Sequence, residues 1–488
     1  MTQDAFDAAL DPADWAAMRA IFHAAADDGL AHLAQARARP VWTRPPDAAR
    51  AALAEPVPQA GQPVAAIYDT FKTHILPYGT GNVHPAFFGW ALGAGTAEGV
   101  LGEMLAAFMN CNLGGWDQIA ADLERQVIDW CRQMTGFPAG SSGLLTSGTS
   151  LGTLIALAVA REAATAGEIG EYGVAAAGSG LVGYASTEAH GCFAKAFATL
   201  GLGRAHLRRV PVDADHRLDC AALEAMIAAD RARGLRPFCA IATCGTINTG
   251  AIDDLARVAD ICARARLWFH VDAAFGVGAL LTAAHRARAA PLARADSIAF
   301  DFHKWFQVPY DAGIVLIRDA AAHRAAFAAP ADYLAPAARG LAAGAPWFCD
   351  YGPELSRSFR ALKIWFTFKA HGLSGLSAMI EKNCRQAQFL ADLIAANAPR
   401  LALLAPVNLN IVCFRYVPAD GSDADALNAE IVADLQEQGI AAPSLTTLSG
   451  RTAIRVCLVN HRTRAADLER LVEATLALGA AREAAARA

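Results

Sequence analysis

From about residue 100 the chain alternates helical stretches with short apolar runs, and this alternation is the strongest constraint on what it can fold into. LVGYAS, RAHLRRVPV, FCAIATCGT, WFHVDAAF, SIAFDF and GIVLIRD have the length and the aliphatic and aromatic content of strands. Helical stretches such as 253–266 (DDLARVADICARAR) separate several of them. Strands joined by helices of this length pair in parallel through right-handed crossovers, which predicts an α/β domain. Ligands of such sheets collect at the carboxyl ends of the strands, so the residues that follow each run are the ones to examine for function.

The flanks read differently. Residues 13–36 and a stretch leading to HILPYGTGNVHPAFFGW are amphipathic helices joined by the Pro-rich connector ARPVWTRPPDAARAALAEPVPQAGQP. They need a surface to bury against, so residues 1–85 are expected to be a helical N-terminal extension rather than a separate globule. Residues 86–375 then form the large domain. The remainder, 376–488, carries strand (LNIVCFRYV), helix (ADALNAEIVADLQEQG), strand (TAIRVCLVN) and helix (ADLERLVEATLAL), a small C-terminal α/β domain. Residues 319–346 are Ala-, Gly- and Pro-rich, and are predicted to be a long loop of the kind that often carries function.

With a formal net charge of −5 and no long Lys/Arg run, nucleic acid is not expected as a partner. No stretch reaches the roughly 18 uninterrupted apolar residues of a membrane span. The acidic start MTQDAFDAALDPADW is unlike a secretory signal. A soluble cytoplasmic protein is the expectation. Eleven scattered cysteines include no C-x-x-C pair, which suggests buried thiols in a reducing compartment and no metal site. Cys111, Cys131, Cys239, Cys244 and Cys262 sit in apolar context and read as core.

Four segments carry chemistry. In DFHKWF, Lys304 follows a strand between His303 and Trp305, where burial would disfavour the ammonium and give a neutral amine able to form an imine. In WFHVDAAFG, Asp272 is either a helix cap or a carboxylate paired with a pyridinium nitrogen. TSGTS at 146–150 opens a helix. Gly148 permits close approach there, and Ser147, Thr149 and Ser150 could donate to an anion or simply cap the helix. In STEAHGCFAKA, His190 sits where a strand gives way to a helix and is either a core histidine or a ring stacked on a cofactor.

The order of these segments, with Thr246 in TCGTINTG between His190 and Asp272, resembles the group II pyridoxal-phosphate (PLP) amino-acid decarboxylases. The likeness runs from HPAFFGW through HVDAAFG and DFHKW to SRSFRALKIWF and RVCLVNHRT. It implies PLP fold type I, with a mainly parallel sheet in the large domain. It also implies pyridoxal 5'-phosphate as cofactor and a homodimer whose N-terminal extension wraps the partner. By the same resemblance Lys304 would form the imine, Asp272 would pair with the ring nitrogen, and His190 would stack on the ring. Thr246 would lie near its polar substituents, and Gly148, Thr149, Ser150 and His303 would hold the phosphate. Tyr333, in PADYL, would protonate the carbanion after CO2 leaves.

The implied activity is decarboxylation of an L-amino acid, most readily an aromatic one. An aldehyde-forming or other carbon–carbon lyase of the same family, or a histidine or acidic amino-acid decarboxylase, is the alternative. GGWDQIAADLE departs from the aromatic enzymes' W-x-x-S-P-A, and Ser356 resembles the histidine enzymes. Phe87, Phe88 and Trp90 suggest either an aromatic wall to the substrate pocket or core packing.

Overall fold

A computed structural model describes residues 9–176, 180–328, 336–419 and 421–487. Its larger sheet consists of β1 (Ser142–Thr146), β2 (Leu181–Ser186), β3 (Leu207–Val210), β4 (Arg236–Thr243), β5 (Trp268–Asp272), β6 (Ser297–Asp301) and β7 (Gly313–Ile317). The spatial order is β1-β7-β6-β5-β4-β2-β3. β2 pairs in parallel with β3 and β4, as do β4 with β5 and β5 with β6. β7 is antiparallel to both β1 and β6, so every strand but β7 runs the same way. β2, β6 and β7 are buried along their whole length, the pattern of strands covered on both faces. This is the α/β architecture with a mainly parallel sheet that the alternation predicts.

The crossover helices end where local chemistry stops them. Ile119–Thr135 closes on Gly136 in the left-handed conformation at φ 71. Leu255–Ala265 is capped by the Asp254 carboxylate on Arg257 N. A second, four-stranded sheet is built from β8 (Leu401–Leu403), β9 (Ile411–Tyr416), β10 (Ser444–Leu448) and β11 (Arg451–Cys457) in the order β10-β11-β9-β8. The long helix Arg360–Ala396 leads to it and leaves helical geometry at Gly372, φ 61.

β1, β8 and β10 are absent from the sequence-based strands. SGLLT is short and continuous with the TSGTS turn, and β8 and β10 are brief edge strands with partly exposed residues. Within 319–346, expected to be irregular, Ala320–Phe327 forms a helix because Asp319 accepts hydrogen bonds from Ala321 N and Ala322 N. No described helix is long and apolar enough to cross a membrane. In the extension, the helices Trp15–Ala34 and Val64–His74 contain no buried residue.

Candidate active site

At the carboxyl ends of the strands lies a cavity of about 390 Å³. Each wall follows a different strand: Ser147, Gly148, Thr149 and Ser150 after β1, His190 and Cys192 after β2, Thr243, Gly245 and Ile247 at the end of β4 and beyond it. Asp272 ends β5, Asp301 ends β6, and His303, Lys304 and Tyr310 follow β6. The sheet thus brings together residues up to 163 positions apart.

The helix Thr149–Thr165 starts at this cavity. The strand before it is held by a buried pair: Arg357 meets Glu124 at 2.5 Å and donates to Leu145 O on β1 at 2.7 Å, with neither side chain exposed. Gly148 keeps this corner open, since a Cβ there would lie 3.3 Å from His303 Cε1 and 3.4 Å from Asp301 Oδ1, close enough that both side chains would have to give slightly. Thr149 Oγ1 is buried without a hydrogen-bond partner in the protein. A free hydroxyl beside a helix start is what a phosphate would complete.

Lys304 Nζ lies 2.9 Å from Asp301 Oδ2, and Asp301 Oδ1 accepts from Thr149 N at 2.6 Å. Burial lowers the amine's pKa, but the Asp301 carboxylate, aided by Asp272, outweighs it and the net shift is upward. The neutral amine expected from desolvation alone is therefore corrected: without another ligand, Lys304 is held as an ammonium. His303 accepts from Ala312 N through Nδ1 at 3.0 Å and stacks on Tyr310 with ring centroids 4.2 Å apart. Burial pulls its pKa down, which keeps the imidazole neutral and leaves Nε2–H free to donate.

Asp272 is 3% exposed and accepts from Ala274 N at 2.9 Å. Burial raises its pKa, against the opposing pull of Lys304. β7 and β6 separate β5 from β1, so Asp272 stands across the cavity from the helix start. His190 is at the open rim, where its Nδ1 accepts from Cys192 N at 3.2 Å. Desolvation lowers its pKa while Asp272 raises it, with a net downward shift. An anion cradle, a central amine and a buried carboxylate opposite the cradle fit PLP, with phosphate, aldehyde carbon and ring nitrogen in that order.

Other expected residues lie elsewhere. Thr246 is buried but does not line the cavity. Its hydroxyl is taken up by Ala251 N and Thr249 Oγ1 in the turn between Gly245 and Ile247. Phe87 and Phe88 do not form a cavity wall. Phe87 packs on Val41 and Ala442, and Phe88 packs against the four-stranded sheet, so both are core. Trp90 is 57% exposed with φ 52, and Leu92 from the same segment lines the cavity instead. Ser356 is exposed and not in the lining. Tyr333 falls outside the described residues.

Asp301, Tyr310 and Leu92 were missed by sequence reasoning. Asp301 had a signal: SIAFD ends in aspartate just as WFHVD does, and it precedes the lysine by three residues.

A family profile described as the pyridoxal-dependent decarboxylase conserved domain matches residues 46–417. The chain is 31% identical over 457 residues to an aromatic-L-amino-acid decarboxylase of Bacillus atrophaeus, covering 92% of this chain and 93% of the relative. It is 33% identical over 423 residues to an L-2,4-diaminobutyrate decarboxylase of Rhizobium meliloti (strain 1021), covering 86% and 83%. The crystal structure of Oryza sativa TDC with PLP and tryptamine superposes with a TM-score of 0.89 at 26% identity, covering 97% of this chain and all of the other.

Proposed function

The chain belongs to the pyridoxal-dependent decarboxylase family and is a PLP-dependent amino-acid decarboxylase; from that premise we propose that its substrate is an aromatic L-amino acid, released as the amine and CO2. The observation that carries this is the composition of the cavity wall. Leu92, Ile247, Phe275 and Tyr310 supply flat apolar surface, and Lys304 is the one Lys or Arg among the described lining residues. An acidic side chain would have no cation of its own there.

PLP, once bound, supplies the electron sink for the pair left by the departing carboxylate. The chain's residues do the rest. The Asp272 carboxylate keeps a proton on the ring nitrogen. Thr149 Oγ1, Ser150 and His303 Nε2–H donate to the phosphate. His190, at the rim of the cavity with its Nδ1 taken by Cys192 N, would cover the ring face. Lys304 Nζ would hold the cofactor through its aldehyde carbon and would make way there for the substrate amine. Thr246 acts through its turn, holding Gly245 and Ile247 in place. Tyr333 is proposed to protonate Cα, and the segment around it to exclude water during turnover.

We further propose a cytoplasmic homodimer. Phe22 of the extension meets Phe108 with centroids 5.6 Å apart. Trp15, Leu30, Ile67, Val100, Met104 and Met109 continue an exposed apolar surface of the kind that marks an interface. The division into extension (1–85), large domain (86–375) and small domain (376–488) is proposed to hold, its second boundary lying just after the Gly372 break in the long helix.

A panel of L-Trp, L-Tyr, L-Phe, L-DOPA, L-His, L-Glu, L-Asp and L-2,4-diaminobutyrate, scored by CO2 release, tests the substrate class. Turnover should concentrate on the aromatic members. A preference for diaminobutyrate, which the Rhizobium relative favours as a second reading, would overturn it. Aldehyde in place of amine would support the aldehyde-forming alternative, and Tyr333→Phe should shift products that way. An amine yield untouched by that change removes Tyr333 as proton donor.

A further inference from the structure

Asp301 is an unusual neighbour for a phosphate. Its carboxylate is 3% exposed, ends β6, and sits at the helix start that is read as the phosphate cradle. Both oxygens are engaged: Oδ1 by Thr149 N at 2.6 Å, Oδ2 by Lys304 Nζ at 2.9 Å, with His303 Nε2 3.7 Å from Oδ2. The carboxylate cannot swing freely away, because Gly313, Gly148 and the β6 backbone confine it. A Cβ on Gly313 would approach Asp301 Oδ1 to 2.8 Å. The charged and titratable groups around it are Lys304, His303, Asp272, His190, Cys192 and Tyr310. Lys304 is the single fixed cation in that set.

We propose that Asp301 is a built-in competitor of the cofactor's phosphate: it takes the same backbone donor and tethers the lysine, so that loading must displace both contacts. Two anions sharing one helix start repel at short range in a poorly screened site. The helix-start N–H that Asp301 occupies is also one of those a phosphate would use. The consequence is a cofactor that exchanges more readily than the rest of the cradle would allow. The upward shift of the lysine's pKa agrees with this, since the tether also opposes formation of the free amine. Asp301 is thus a positioning residue that acts on loading through Thr149 N and Lys304. This rests on the reading of residues 147–150 as the phosphate site.

The test uses the full chain stripped of cofactor, with inorganic phosphate as the probe and PLP binding read by visible absorbance. In wild type, phosphate should compete with PLP weakly. Asp301→Asn should bind inorganic phosphate at least about tenfold more tightly and lose bound PLP correspondingly more slowly on dialysis. Asp301→Ser, smaller and uncharged, should match Asn, and Asp301→Glu should stay near wild type. Neither readout needs turnover. Phosphate affinity that is unchanged or weaker in both uncharged variants shows that Asp301 builds the cradle as a cap, and overturns the proposal alone. Inorganic phosphate that fails to compete with PLP even in wild type overturns the cradle reading and the proposal with it.

Discussion

The ends of the large sheet and the N-terminal extension solve opposite problems. Around the cavity, chemistry is supported by burial within one chain: Asp272 and Asp301 are each 3% exposed, and the Arg357–Glu124 pair bonded to β1 is wholly enclosed. In the extension the helices Trp15–Ala34 and Val64–His74 bury nothing, while Trp15 is 63% and Ile67 52% exposed. The cavity groups are enclosed by their own chain, whereas the extension helices leave large apolar side chains uncovered, and most helical stability in proteins comes from packing an apolar face.

The largest effect that would break this contrast is at the centre of the enclosed region. Lys304→Ala should lower CO2 release by about 10³-fold or more and abolish borohydride-dependent fixation of the cofactor. Loss of activity with fixation retained would move the reactive amine elsewhere. Asp272→Asn is next, with a fall in kcat of about 10²-fold or more, because a neutral amide cannot hold a proton on a ring nitrogen. Cofactor absorbance should persist, which separates it from Lys304→Ala.

The extension should respond differently. Phe22→Glu with Phe71→Glu places two charges on the exposed apolar surface. It should weaken self-association by about 10²-fold in analytical ultracentrifugation, with little change in the far-ultraviolet spectrum. An unchanged sedimentation coefficient would mean that this surface faces something other than a second copy.

The smallest effect concerns acid. His323 bridges Ser142 Oγ and Tyr351 O at 2.8 Å each, and burial pushes its pKa down to about 4. Above pH 6.5 folded and unfolded chains are both neutral here, and its contribution to stability is fully present. As pH falls from 6.5 toward 4 the unfolded chain takes up a proton that the folded one excludes, which costs about 2 kcal/mol by pH 5. Denaturant midpoints measured from pH 7 to 5 should fall less steeply in His323→Asn than in wild type.

The same contrast explains what the sequence made legible. Where a strand or helix is pinned inside one chain, periodicity and end signals survive in the residues. LVGYAS is β2 to the residue, and WFHVD and SIAFD end on the carboxylates that face the cavity. Lys304, Asp272 and His190 converge because each ends or follows a strand that the alternating pattern anticipates, whereas Gly148 and Thr149 follow β1, which it did not. Tertiary partners settle what local pattern cannot. Phe87 and Phe88 could be read from the sequence as pocket or as the commoner core packing, and their packing against the small-domain sheet, Val41 and Ala442 decides for core. The charge of Lys304 depends on a carboxylate three residues away along a bend, so desolvation alone gave the wrong sign.

The register of β1 against β7 has a consequence for synthesis. Ser142 pairs with Ile317, 175 residues further along the chain. The helix start proposed to hold the phosphate therefore rests on a strand with no sheet to join until residue 317 has left the ribosome. Such distant pairings form late. A nascent chain carrying Asp272 and Lys304 but not β7 is expected to remain unable to capture its cofactor, so loading must await the emergence of β7.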